Sequence, residues 1–406
     1  AIVLLLAETA GLWYVNRHLV IAPERMAAAN ATYQLSVVAA LATIIQVPYM
    51  ASIMSHERMD AYAAIAVANV VLKLLAALGI AFFATADSLT GYASLMAMAA
   101  LAVCGMYAVY ARRNFPACRN LKASDRATMR AMLRFCGWDA YGNLCFTTRA
   151  QGTLVVLNHF GGTVLNAAGG LTMTVSGTIG SFAGTVVSAF RPQIVKEYAA
   201  QAVDRVLSLL NNAARYSILL MGLLIVPAIV EMNTLLSLWL VEVPAYTVAF
   251  CRISLIAACG ELLNTVVAIG IHATGRVFRI SFISGTLYLL ELPLMWLLLR
   301  ATQMPPVVYC VHACAVAGIL LVNTLILKYQ MPEFSVWRFW LSGVLWPAVP
   351  VAVTLVAVWM VALAVPGTWL RLLAVGATTI AVLGVLSWTC FFPRSVKDSI
   401  LKKLHR

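Results

Sequence analysis

The sequence predicts an all-α, polytopic membrane protein of about twelve transmembrane helices. Three observations carry this expectation. Hydrophobic residues make up 62% of the chain and charged residues 11%, about half the charge of a soluble domain of this size. The apolar residues come in long unbroken runs, not in the short alternating segments of a membrane barrel. The basic residues behind the net charge of +13 gather in alternate connections between those runs.

The spans are expected near 1–15, 31–54, 59–84, 89–111, 136–157, 163–190, 213–232, 246–272, 278–299, 306–328, 339–364 and 369–391. Each is about as long as a hydrocarbon core is thick, at the rise of an α-helix. Asn158-His-Phe-Gly-Gly162 is the turn between the fifth and sixth. No connection is long enough to fold as a separate soluble domain. The chain opens at Ala1 inside an apolar run, without a signal-peptide pattern.

Charge sets the expected topology. The 112–134 connection holds Arg112, Arg113, Arg119, Lys122, Arg126, Arg130 and Arg134 against Asp125 alone. Basic residues recur at 191–215, at Arg276 and Arg279, at Lys328 and Arg338, and in the tail from Arg394. The positive-inside rule makes these connections and both termini cytoplasmic. The 16–30 loop, with Arg17 and Arg25, is the misfit. Lys122–Phe135 and 199–212 have amphipathic spacing and are expected as helices lying on the inner leaflet.

An internal repeat organises the chain. Leu12-Trp-Tyr-Val15 recurs as Leu238-Trp-Leu-Val241, each followed by a proline, Pro23 and Pro244. Glu57-Arg-Met59 and Gly275-Arg-Val277 come after the next span. An interior charge then falls at one offset in both copies, Lys73 and Glu291. Spans 1–4 thus map onto spans 7–10. The expected division is a truncated N-lobe of four spans (1–111), a basic linker (112–135), a six-span C-lobe (136–328), and a C-terminal helix pair with a basic tail (329–406). The two lobes are pseudo-symmetric, and the first lacks two helices that a complete protein would place before Ala1. Parallel repeats of this kind are common in transporters, with the path between lobes.

Several short patterns carry a resemblance. They are Glu8-Thr-Ala-Gly-Leu-Trp13, Val47-Pro-Tyr-Met-Ala51 with His56-Glu-Arg-Met59, Gly137-Trp138, Asn166-Ala-Ala168, Arg191-Pro-Gln-Ile-Val-Lys-Glu-Tyr198, Leu238-Trp-Leu240 with Pro244, and Ala273-Thr-Gly-Arg276. With the two lobes, basic linker and final helix pair, the chain resembles the multidrug/oligosaccharidyl-lipid/polysaccharide flippase superfamily. It is most similar to the polysaccharide-exporter branch, the O-antigen and capsule repeat-unit flippases of lipopolysaccharide biosynthesis. The resemblance implies movement of an undecaprenyl-diphosphate-linked oligosaccharide from the cytoplasmic to the outer leaflet of a bacterial inner membrane, by alternating access. It implies membrane lipids, the polymerase and the glycosyltransferases of the same pathway as partners. Related branches flip the peptidoglycan precursor or exchange drugs for cations.

Polar residues within spans are the candidate site, because a charge at membrane depth costs about 2.5–3.5 kcal/mol on insertion scales. Asp139, Asn143, Thr147 and Gln151 recur every fourth residue and form a face suited to sugar hydroxyls. Arg149 edges that face, as a fixed cation that holds a diphosphate bidentately or pairs within its own lobe. Lys73 is a second candidate for the diphosphate. Glu291 pairs with Lys73 across the lobes or carries a coupling proton; separate pairs inside each lobe are the alternative. Glu8 and Glu261, the latter with Asn264 one turn on, are further candidates for coupling to Na+ or H+. The small residues about Gly180 and Gly184 serve close helix packing or a bending gate, and Arg191-Pro192 closes that span.

Other classes fit less well. No Walker motif is present, so ATP is not the direct energy source. External loops are short and acid-poor, which argues against a glycosyltransferase or any other enzyme. No basic surface interleaved with aromatics suggests nucleic acid. The nine cysteines lie mostly in apolar runs and form no disulfide framework. Cys310-Val-His312-Ala-Cys314 has a metal-like spacing but no supporting ligand cluster, so it reads as core, with no metal or cofactor.

Overall fold

A computed structural model describes residues 8, 9, 12, 13, 26–82, 88–118 and 126–391. Most of the expected first span, Pro23, the 119–125 part of the basic linker and the basic tail lie outside the described residues. The described residues contain no strand, and ten helices are long and apolar enough to cross a membrane. The chain divides into two compact units, Ala1–Ser124 and Asp125–Arg406.

In the first unit, α1 (Met26–Ser55), α2 (Met59–Phe82) and α3 (Ser88–Asn114) end in a short 3-10 turn, Pro116–Cys118. Ile53, Ala61, Ile65, Val103, Tyr107 and Phe115 form the core of this unit. The α1–α2 turn is tight. Glu57 takes a positive φ of 56°, and Arg58 grips Asp60 with Nε–Oδ1 3.1 Å and Nη2–Oδ2 3.0 Å. Asp60 also sits in the first turn of α2, where the helix dipole favours an acid.

The second unit begins with α4 (Arg126–Ala199), which is two helices joined at a break. Gly161 (φ −134°, ψ 16°) and Gly162 (φ 59°, ψ −149°) leave the helical region. Only glycine adopts the second conformation readily. A Cβ on Gly161 would also come within 2.1 Å of Leu165. The sequence places its turn between spans at these same residues.

Then follow α5 (Val203–Val230), the short α6 (Met232–Trp239), α7 (Thr247–Ala273), α8 (Phe278–Thr302) and α9 (Val307–Gln330). The chain re-enters through a helical turn, Val336–Arg338, and a π-helical stretch, Phe339–Leu345. It finishes with α10 (Trp346–Ala364) and α11 (Thr368–Cys390). Arg215 Nε donates to the Ser342 carbonyl at 3.3 Å, satisfying a backbone acceptor within the π-helical turn.

One core cluster joins the second arm of α4 to α5, α7 and α9 through Val187, Ile194, Leu210, Met221, Leu255 and Leu327. Another, at the opposite end, gathers Leu157, Phe250, Met295, Leu299 and Tyr309. The α10–α11 hairpin packs on α5 through Val226, Val358 and Val375. Large side chains such as Trp359, Leu363, Trp369 and Leu373 remain exposed. In water they would form an aggregating patch, whereas lipid is their natural solvent.

Two local expectations are corrected. Arg126–Phe135 is the first part of α4, and 203–212 the first part of α5, so neither is a separate surface helix. Helix propagation is cheaper than starting a new nucleus, and no breaker divides either stretch. Arg191-Pro192 does not end its span, because α4 runs on to Ala199. Proline removes only the hydrogen bond to the Ser188 carbonyl, and the helix continues past it.

Candidate functional site

Four ionisable side chains meet inside the second unit. Arg149 comes from the first arm of α4, Glu261 from α7, Glu291 from α8 and His312 from α9. Arg149, Glu291 and His312 are 8%, 2% and 5% exposed. Arg149 Nη2 donates to Glu261 Oε1 at 3.1 Å. The same oxygen lies 3.1 Å from His312 Nε2, while His312 Nδ1 is 2.9 Å from Glu291 Oε2. The Arg149 guanidinium also lies over the rings of Phe146 and Tyr288, at 5.0 and 5.7 Å. Each charge thus has an opposite charge or a π face beside it, as burial requires.

The cluster borders a cavity of about 560 Å³ whose lining includes Asp139, Asn143, Ser284, Asn323 and His272. Asp139 is bonded by Asn143 Nδ2 at 3.2 Å and lies 3.6 Å from His272 Nε2. Deeper, Ser284 Oγ donates to Asn323 Oδ1 at 2.7 Å, and Asn323 Nδ2 donates to Asn264 Oδ1 at 2.9 Å. A polar chain therefore crosses three apolar helices, α7, α8 and α9.

The structure gathers some candidates and separates others. Asp139, Asn143, Arg149, Glu261, Gly180 and Gly184 line the cavity, and Glu291 stands behind His312. Thr147 and Gln151 are exposed and outside that lining. The reason is helical drift. A four-residue spacing slips about 40° per step, whereas the lining follows the true period through 139, 142, 143, 146, 149, 150 and 153. Glu8 is exposed, not buried, and accepts from Gln34 Nε2 at 3.1 Å. Lys73 is exposed on α2. Pro192 is half-buried within α4.

The glycines separate by role. A Cβ on Gly177, Gly180 or Gly184 would meet nothing within 4 Å, so packing within this unit does not demand them. They widen the cavity. Gly152 and Gly169 are different, for a Cβ there would press on Leu292 or Leu154 at 2.7 Å.

His312, Tyr288, His272 and Asn323 were not among the candidate residues. His312 had a usable signal, since an ionisable residue at membrane depth needs a partner. Its flanking cysteines pointed instead to a metal spacing, yet Cys310 and Cys314 are both exposed while His312 is buried.

No protein-family model, curated protein or solved structure matches the chain.

Proposed function

We propose that this chain is a multi-pass membrane transporter that carries a polyprenyl-diphosphate-linked oligosaccharide from the cytoplasmic to the outer leaflet of a bacterial inner membrane by alternating access. The sequence resemblance supplies the substrate, the pathway partners, the two pseudo-symmetric lobes and the cytoplasmic termini. The observation that carries the reading is the Arg149–Glu261–His312–Glu291 cluster beside a cavity within a bundle of long apolar helices. Ionisable groups are kept in spans for pathways, relays and binding sites.

Each group has a part in this reading. Asp139, Asn143, Ser284 and Asn323 offer donors and acceptors to sugar hydroxyls. Arg149 offers a planar fork to a diphosphate, but Glu261 already holds it. A proton taken up by the Glu261–His312 pair weakens that hold and frees the guanidinium. Proton binding and anion binding then favour each other, which is the coupling a transporter needs.

A second reading, a cation-coupled antiporter of the same general architecture, is favoured by the same ion pair. One arginine against two carboxylates makes the cluster net negative whenever His312 is neutral, and such a site attracts a cation. The two readings separate in proteoliposomes carrying a fluorescent polyprenyl-diphosphate-linked sugar. Movement of the lipid by the wild type, slowed by Gly184→Leu, supports the first. An inert lipid with drug–proton exchange would sink it in favour of the second.

A further inference from the structure

A second cavity, of about 510 Å³, opens where α7 ends and α8 begins. Arg134, Arg276 and Arg279 line it together with Trp138, Phe278 and Tyr329, and its lining contains no carboxylate. By contrast, the polar pocket beside it in the fold, around Arg215 and Arg338, also holds Asp204 and Glu333. At the opposite end of the bundle the arginines are occupied. Arg371 grips Glu231, Arg252 Nε donates to the Ile229 carbonyl at 2.9 Å, and Arg300 lies over Trp296.

We infer that this arginine pocket binds the phosphate of an anionic membrane-lipid headgroup. Its depth fits, because α8 starts at Phe278 and α9 stops at Gln330, so the pocket lies at the ends of spans, where headgroups lie. Its chemistry fits as well. Arg279 lies over Tyr329 with its guanidinium carbon 3.9 Å from the ring centroid. A guanidinium carries five N–H donors, more than one tyrosine can engage, so donors remain for phosphate oxygens. Trp138 meets Phe278 edge-on at 4.4 Å, giving an aromatic wall of the kind found at the membrane interface. The turn that presents Arg276 is held in place. Gly275 supplies the positive φ of 73°, Gln330 Nε2 donates to the Arg276 carbonyl at 2.8 Å, and the Arg276 N–H donates to Thr274 Oγ1 at 3.3 Å. The site is thus built before a ligand arrives, and it is separate from the cavity at Arg149.

The test is native mass spectrometry of the purified protein in detergent. Phosphatidylglycerol and phosphatidylcholine are added in equal amounts, and inorganic pyrophosphate in a separate arm. The wild type should retain phosphatidylglycerol in preference. Arg276→Gln or Arg279→Gln should reduce that retention about fivefold, and the pair together about thirtyfold. Arg300→Gln, at the other end, should leave it unchanged. Both substituted arginines are exposed, so neither substitution opens a hole in the core. Equal retention by the wild type and the double variant would overturn the inference. So would pyrophosphate binding that depends on these arginines while lipid retention does not, which would assign the pocket to a soluble phosphate.

Discussion

His312 spans two carboxylates: Nδ1 lies 2.9 Å from Glu291 Oε2 and Nε2 lies 3.1 Å from Glu261 Oε1. Nε2 also lies 3.3 Å from Arg149 Nη1. A protonated ring donates to both carboxylates, whereas a neutral ring donates from Nδ1 to Glu291 and accepts from the guanidinium at Nε2. The two states differ by one proton, shared between His312 and the two carboxylates.

Glu291 tests that sharing. Its Oε1 is buried without a hydrogen-bond partner among the described residues, a costly position for a carboxylate. Glu291→Gln keeps an acceptor for His312 and removes the charge. Thermal unfolding in detergent should show stability equal to the wild type or higher by about 1 kcal/mol. A loss of several kcal/mol would mean that the acid is structural.

Arg149 is the counterweight. Arg149→Met leaves two carboxylates facing one histidine and should cost up to about 3–5 kcal/mol, the scale for breaking a buried pair. Arg149→Met with Glu261→Gln should recover most of that loss, because both charges go together. A cycle measured by denaturant titration in detergent decides. Additive losses would contradict the ion pair.

Much of the fold was legible and the site only in part, for a physical reason. Span positions follow from runs of apolar residues set by bilayer thickness, so α7, α8 and α9 lie within a few residues of 246–272, 278–299 and 306–328. The Gly161–Gly162 break follows from local backbone chemistry. Partners across helices do not. Glu261, Glu291 and His312 are far apart in sequence, and nothing local says which faces of their helices meet. Thr147 and Gln151 mislead in the opposite way, since regular spacing by four is not the helix period.

Outside the cavity, Glu231 and Arg371 tie the α5–α6 junction to α11. Nη2 donates to Oε2 at 3.0 Å, Nε lies 2.7 Å from Oε1, and Thr234 Oγ1 donates to Oε2 at 2.7 Å. Glu231 is 3% exposed. A double-mutant cycle with Glu231→Gln and Arg371→Gln should give a coupling of about 1–3 kcal/mol, read from unfolding midpoints. A coupling near zero would mean that solvent screens the pair.

Gly222 sets how closely α5 approaches α10. A Cβ there would lie 2.5 Å from Val351 Cγ2. Gly222→Ala should destabilise by about 1–3 kcal/mol through overpacking, and Val351→Ala in the same chain should restore part of it. The check is the melting temperature of the single and double variants. An unchanged Gly222→Ala would show that the hairpin shifts freely.

The most direct test of the account is the rate at which a labelled polyprenyl-diphosphate-linked sugar crosses proteoliposomes under an imposed pH gradient, for wild type and His312→Gln. The account predicts that the gradient accelerates the wild type and leaves His312→Gln at its unstimulated rate. Equal acceleration of both proteins would contradict the proton site at His312, and absence of lipid movement in the wild type would contradict the proposed substrate.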